Sequence, residues 1–100
     1  MTATKTEKTQ ETRTGERAGE ATEPPWNVIL HNDFHHPVNR VVWRLWRTIP
    51  GMSVKKATRV TWEAHTKGRA VVKMCHKELA ELYKERLKAK GLTVSTEPAR

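Results

Sequence analysis

A short apolar run enclosed by prolines limits how this chain can fold. The sequence Val-Ile-Leu occupies residues 28–30, directly after Pro24, Pro25 and one further pair of residues. Three consecutive apolar residues that no helix can enter predict a buried β-strand. The polar segment 31–36 follows, and Pro37 then allows a helix to begin, because a first-turn residue needs no N–H partner. A polar corner is therefore predicted between a strand end and a helix start.

The amino-terminal segment has a composition that does not support folding. Residues 1–23 contain no aromatic residue and no Val, Leu or Ile. Such a segment buries too little apolar surface to offset its ordering entropy. We therefore predict a disordered extension over residues 1–25 and one folded domain over residues 26–100, which we expect to be a monomer.

Charge and cysteine content narrow the class of protein. The whole chain carries a net charge of +8, and this charge favours either nucleic acid or an acidic protein surface as the partner. The single cysteine, Cys75, excludes an intrachain disulfide and fits a reducing compartment. No apolar run approaches the roughly 20 residues that span a membrane, and no signal or transit peptide is evident. We therefore expect a cytoplasmic protein without a membrane partner.

The hydrophobic periodicity after the first strand predicts two helices, a strand, a third helix and a last strand. Apolar residues recur at helical spacing in three segments, and Pro50-Gly51, Gly68 and Gly91 separate them. The fold class is therefore α+β, a two-layer domain in which a three-stranded antiparallel sheet carries three helices in the order β-α-α-β-α-β. The predicted elements after residues 28–30 are helices 37–49, 54–67 and 77–90, with Ser53 as the N-cap of the second helix, and strands 69–75 and 92–96. The apolar faces of the first and third helices include Trp46, Leu82 and Tyr83.

Three polar side chains form a candidate site for a cation. Asn32 offers a carbonyl, Asp33 a carboxylate and neutral His65 a ring nitrogen, so together they would suit an ammonium group. The spacing alone favours a purely structural interpretation of these residues. Asn-Asp is a common turn, and a histidine near a helix carboxyl end interacts favourably with the helix dipole.

A metal site, a catalytic site and a nucleic-acid-binding surface are the alternatives to a cation site. The possible zinc ligands lack the paired spacing of a zinc site, so no metal or cofactor is predicted. There is no nucleophile near a base, no phosphate-binding glycine loop and no close carboxylate pair, so we predict that the chain is not an enzyme. Residues 38–67 resemble a basic helix-turn-helix, and a nucleic-acid-binding module is the alternative function. The possible zinc ligands are His31, His35, His36, Cys75 and His76.

Four motifs in order resemble the ClpS adaptors of the Clp protease. They are Val-Ile-Leu-His-Asn-Asp at 28–33, Ile-Pro-Gly-Met at 49–52, Glu-Ala-His-x-x-Gly-x-Ala-Val-Val at 63–72, and Gly-Leu-x-x-x-x-Glu-Pro at 91–98. The resemblance implies an adaptor that binds proteins whose first residue is a large hydrophobe with a free α-amine. It also implies delivery of those proteins to the N-terminal domain of a Clp AAA+ unfoldase of the ClpA or ClpC type.

The resemblance also assigns roles to individual residues. It implies that Asn32, Asp33 and His65 bind the α-amine. It places an unfoldase-docking surface at Glu78, Glu81 and Tyr83. The first substrate side chain would enter a hydrophobic pocket whose wall and rim are Leu30, Phe34, His36, Val38, Val41, Thr61 and Ala64.

Several positions depart from the family pattern. Phe34 stands where many members carry a second amine-binding Asp, and Val38 and Thr61 stand where Met is common. His36 replaces a smaller polar residue at the rim, and Tyr83 stands where a docking Lys is common. These departures imply a weaker and more permissive binder than other members of the family.

Overall fold

A three-stranded antiparallel sheet with three helices makes up the folded part of the chain. A computed structural model describes residues 24–33 and 35–99. The predicted α+β class and the element order are confirmed, whereas the proposed disordered extension lies outside the described residues except for Pro24 and Pro25. The elements are β1 (Trp26–His31), α1 (Val38–Thr48), α2 (Val54–Lys67), β2 (Arg69–Cys75), α3 (Lys77–Ala89) and β3 (Val94–Pro98).

The first strand lies in the middle of the sheet. The strand order is β2-β1-β3, and β1 is antiparallel to both neighbours. Leu30 pairs with Ala70 on one side and with Val94 on the other. The ladder extends one residue before Trp26, because the Ala99 amide donates a hydrogen bond of 2.9 Å to the Pro25 carbonyl. The central position of β1 explains why its apolar run is buried throughout.

The two faces of β1 are buried in different ways. Val28 and Leu30 belong to the main hydrophobic core, which also contains Leu45 of α1 and Leu87 of α3. Ile29 points to the opposite face, because successive strand residues alternate, and it is still only 1% exposed. On this second face the Arg69 guanidinium meets the Glu97 carboxylate at 2.6 Å. These residues belong to β2 and β3, so their ion pair crosses the central strand.

The last strand begins later in the chain than predicted, because the residues after α3 still take part in the end of that helix. The predicted strand at residues 92–96 is wrong by two residues, since β3 is Val94–Pro98. The Leu92 amide donates a hydrogen bond to the Leu87 carbonyl, so Leu92 still belongs to the helix termination. Pro98, predicted to stop the strand, instead pairs with Trp26 at its end. An edge strand tolerates proline because it needs no N–H donor on its outer side.

Three side chains occupy different environments from those predicted. Trp46, predicted on the apolar face of α1, is 40% exposed, and Leu82 of α3 is also exposed. Tyr83 is 6% exposed and belongs to the core, as its place on the apolar face of α3 predicts, and not to an exposed docking surface, as the family resemblance implies. Helix α3 buries Ala80, Tyr83 and Leu87, at intervals of three and four residues, and this face excludes Leu82. None of the described helices has the length and hydropathy of a membrane span.

Candidate functional site

A cavity lies where the end of β1 meets the start of α1 and the last two turns of α2. Its volume is about 20 Å³, which is room for little more than one water molecule. The closed part of the cavity therefore does not enclose a large side chain as it stands. The lining residues are Leu30, His31, Asn32, Asp33, His36, Val38, Val41, Thr61, Ala64, His65 and Leu92.

This cavity brings together the residues predicted for the pocket and the amine site. Every one of them that the structure describes is a lining residue. Phe34, the remaining predicted rim residue, lies outside the described residues. His31 and Leu92 were missed by the sequence reasoning. Both residues reach the cavity through the pairing of β1 with the segment before β3, because the His31 amide donates a hydrogen bond to the carbonyl of Thr93, the residue after Leu92.

The apolar side of the cavity is formed by three elements, β1, α1 and α2. Leu30 of β1, Val41 of α1 and Ala64 of α2 are each buried. Thr61 is buried among them, and its hydroxyl donates a 2.8 Å hydrogen bond to the Ala57 carbonyl one turn earlier. This bond satisfies the hydroxyl within α2, so Thr61 adds no unpaired polar group to the cavity wall.

Asn32 is fixed at the polar side of the cavity by the carboxyl end of α2. Its amide N–H donates a 2.9 Å hydrogen bond to the Gly68 carbonyl. Its side-chain Nδ2 donates a long bond of 3.5 Å to the His65 carbonyl. Among the described residues the side-chain Oδ1 has no donor. With this assignment of the amide, Oδ1 is a free acceptor beside the apolar wall.

Asp33 is held at both carboxylate oxygens by the residues that follow it. Oδ1 accepts the His35 backbone N–H at 2.7 Å, and Oδ2 accepts from His36 Nδ1 at 2.9 Å. The backbone bond from His35 is the main cause that lowers the pKa of Asp33, with His36 adding to it against the effect of burial. The carboxylate is therefore ionised at neutral pH and keeps further lone pairs for a ligand.

His36 connects the polar corner to the turn between α3 and β3. Gly91 lies against its ring, since a Cβ built on this glycine would approach His36 Nε2 to 3.2 Å. Gly91 also has a φ of 89°, which a side chain would strain. Arg44 of α1 fixes the same turn, because its Nη1 donates a 2.7 Å hydrogen bond to the Lys90 carbonyl.

His65 forms the exposed side of the cavity. Its ring meets the ring of Trp62 edge-on, with centroids 5.4 Å apart and planes at 88°. Both residues are exposed and one turn apart on α2. In the described part of the chain no side chain is hydrogen-bonded to the His65 ring, so its nitrogens can bind a ligand. The structure thus places His65 beside Asn32, a contact that their spacing in the sequence could not predict.

The predicted docking residues of α3 lie elsewhere. Glu78 is exposed in the first turn of α3. Glu81 Oε2 accepts a 2.9 Å hydrogen bond from Thr96 Oγ1, and Glu81 Oε1 forms an ion pair with Lys84 Nζ at 2.9 Å. The Lys84 bond is the main cause that lowers the pKa of Glu81. Tyr83 is in the core, so the two glutamates alone offer an accessible surface.

The chemistry of the cavity favours a cation attached to an apolar group. An amide oxygen, a carboxylate and an imidazole surround one side, and aliphatic side chains form the other. Within residues 24–33 and 35–99, no three His, Cys, Asp or Glu side chains are arranged to hold a metal ion. Three acceptors of this kind can accept hydrogen bonds from the three N–H groups of an ammonium.

Comparison with known proteins identifies the family. The family described as ATP-dependent Clp protease adaptor protein ClpS matches residues 21–95. The ClpS adapter of Gloeobacter violaceus is 47% identical over 75 residues, which cover 75% of this chain and 81% of that protein. The ClpS adapter of Synechococcus elongatus is 43% identical over 75 residues, which cover 75% and 79% of the two chains.

A solved structure agrees with the sequence comparison. Agrobacterium tumefaciens ClpS2 bound to L-phenylalaninamide superposes with a TM-score of 0.72 at 30% identity. The match covers 76% of this chain and 98% of the solved one. Sequence family, relatives and fold all agree, and the chain therefore belongs to the ClpS family of adaptor proteins of the ATP-dependent Clp protease.

Proposed function

We propose that this chain binds proteins through a large hydrophobic first residue with a free α-amine and delivers them to a Clp AAA+ unfoldase. The observation that carries the proposal is the cavity, in which Asn32, Asp33 and His65 lie beside an aliphatic wall. An N-terminal residue presents an ammonium group and a side chain on the same carbon atom. A site with acceptors and apolar surface side by side matches that arrangement.

The ligand of the structural neighbour supports this assignment. L-phenylalaninamide, bound by Agrobacterium tumefaciens ClpS2, has a free α-amine and a phenyl side chain and resembles the first residue of a protein. In this chain the ammonium would contact Asn32 Oδ1, the Asp33 carboxylate and the His65 ring. The side chain would enter between Val41, Thr61 and their neighbours.

Delivery requires a second surface that binds the unfoldase. We propose the exposed amino-terminal part of α3 for this contact, with Glu78 and Glu81 as its acidic residues. The N-terminal domain of a ClpA- or ClpC-type unfoldase is the proposed partner. In this role the chain itself catalyses no reaction, because hydrolysis of ATP and of peptide bonds belongs to the partners.

A pair of peptides tests the amine recognition. A labelled peptide that begins with Phe should bind, and its N-acetylated twin should bind at least tenfold more weakly. Acetylation removes the positive charge and the charge-assisted hydrogen bonds, which contribute about 1.5–3 kcal/mol each. Fluorescence anisotropy with the full chain measures both affinities. A peptide that begins with Ser is the control for the apolar contact, and equal binding of all three peptides would refute the proposal.

The nucleic-acid alternative has one observation in its favour. Helices α1 and α2 expose basic residues together with Trp43, and aromatic and basic side chains together can bind nucleic acids. The test is a titration with a DNA duplex at two salt concentrations. Tight binding that falls steeply with salt, together with no peptide binding, would favour this alternative.

A further inference from the structure

We propose that His36 is a positioning residue for the amine site, because it holds the Asp33 carboxylate and sets the charge of that carboxylate's surroundings. The inference rests on the proposed function and deepens it. It concerns one contact, the 2.9 Å bond between His36 Nδ1 and Asp33 Oδ2 at the wall of the cavity. The contact lies in the polar corner after β1, the segment that also contains the amine acceptors Asn32 and Asp33.

The bond fixes the direction in which the carboxylate can accept a ligand. The His35 backbone N–H binds one carboxylate oxygen and His36 binds the other, so the plane of the group cannot rotate freely. A carboxylate only accepts hydrogen bonds, and Nδ1 of His36 must therefore carry the proton. The Asp33 side chain is 7% exposed, so little solvent competes for its remaining lone pairs.

The protonation state of His36 decides how much negative charge the cavity keeps. A neutral imidazole donates through Nδ1 and leaves the full charge of Asp33 available to a substrate ammonium. An imidazolium donates through the same atom but cancels that charge at a distance of 2.9 Å. Both forms keep the geometry, because the donor atom is the same. Only the attraction for a cation changes.

The surroundings keep the ring in place and add their own charges. From the polar corner, Asp33 and His35 face the ring. From α1, the guanidinium of Arg44 approaches the same turn. From the turn after α3 the ring meets Gly91, and His31 of β1 and His65 of α2 also line the cavity. Asp33 is thus the one carboxylate on the cavity wall in the described ranges, among several cationic or titratable groups.

Acidification below pH 7 changes the charge of the peptide amine very little. A peptide amine has a pKa of about 7.7–8.0, so it is mostly charged already at pH 7. A loss of affinity below pH 7 would therefore arise from the protein and not from the peptide. A proton on His65 would remove an acceptor from the cavity as well, so a variant that changes His36 alone is needed to separate the contributions of the two histidines.

The experiment compares His36→Asn and His36→Ala with the unaltered chain. Asparagine can still donate a hydrogen bond to Asp33 but cannot become charged. His35→Asn is the matched control, because His35 holds Asp33 through its backbone N–H and its side chain is exposed. Anisotropy with the Phe-initiated peptide is measured at pH 7.2 and pH 5.2, with circular dichroism at each pH to confirm folding.

We expect the unaltered chain and His35→Asn to lose roughly fivefold more affinity on acidification than His36→Asn does. At pH 7.2, His36→Asn should keep more of the affinity of the unaltered chain than His36→Ala, which loses the hydrogen bond to Asp33 and should bind several-fold more weakly. Identical pH profiles for His36→Asn and the unaltered chain would overturn the inference while leaving peptide recognition intact. Failure of the unaltered chain to distinguish free from acetylated peptide would instead refute the proposed function, and the inference with it.

Discussion

At the scale of single residues, we expect Thr61 to set the size of the cavity. It is buried in the wall, and the cavity measures only about 20 Å³. Thr61→Met should fill this space and exclude first residues that branch at Cβ. Overpacking costs about 1–3 kcal/mol, so the preference for Leu over Ile at the first position should rise by about tenfold. Anisotropy with peptides that differ only in the first residue measures this ratio.

A second threonine of the same helix provides the control. Thr58 also donates its hydroxyl to the carbonyl four residues earlier, that of Val54, and it does not line the cavity. Thr58→Met should leave the ratio unchanged. If Thr61→Met weakens Leu and Ile peptides equally, Thr61 does not determine the shape of the pocket.

The composition of the cavity could be predicted only in part from the residues. The segment that contains Asn32 and Asp33 was identified as a polar corner from its neighbours in sequence. His65 lies 33 positions after Asn32, and no periodicity relates them. Their contact depends on the hydrogen bond from the Asn32 amide to the carbonyl of Gly68, the residue that ends α2. The similarity to a known family, and not the spacing, therefore predicted which residues meet.

At the scale of elements, the turn between α3 and β3 supports the cavity through Gly91. Gly91→Ala should destabilise the fold, since an L-residue at positive φ costs about 1–2 kcal/mol. Its Cβ would also meet the His36 ring at 3.2 Å and displace it from Asp33. We therefore expect a lower melting temperature together with a several-fold loss of affinity for the Phe-initiated peptide.

Another glycine separates these two effects. Gly51 has a φ of 77°, and a Cβ built on it meets nothing within 4 Å. Gly51→Ala should lower the melting temperature by a similar amount and leave peptide affinity unchanged. An equal affinity for both variants would show that the turn does not act on His36.

The bounds of the elements followed the capping residues where these were evident. Ser53 caps α2 by accepting the Lys56 amide, and Gly68 ends α2 in the left-handed conformation, as the sequence predicts. The last strand was misplaced because alternation of apolar and polar residues begins at Leu92. The hydrogen bond from Leu92 to Leu87 keeps that residue in the helix end. A local pattern cannot show which of two neighbouring elements a residue joins.

At the scale of the whole molecule, the net charge of +8 should affect the rate of binding. A positive protein attracts negative ligands over about 30 Å at 0.01 M salt and about 3 Å at 1 M salt. Peptides with Phe first and Glu at the next three positions should therefore associate faster than peptides with Lys there, by about tenfold or more at low salt. Stopped-flow fluorescence measures the two rates, and the difference should disappear at 1 M salt. Equal rates at low salt would contradict the expected steering.

The central place of β1 also has a mechanical consequence. The chain enters the domain at Pro25, directly before Trp26, and the cavity lies at the other end of the same strand. A force applied through the preceding residues would run along β1. Hydrogen bonds to β2 and β3 lie across that direction, so both ladders would be loaded in shear at once. A pull from the amino-terminal side would therefore have to break both ladders before β1 could leave the sheet.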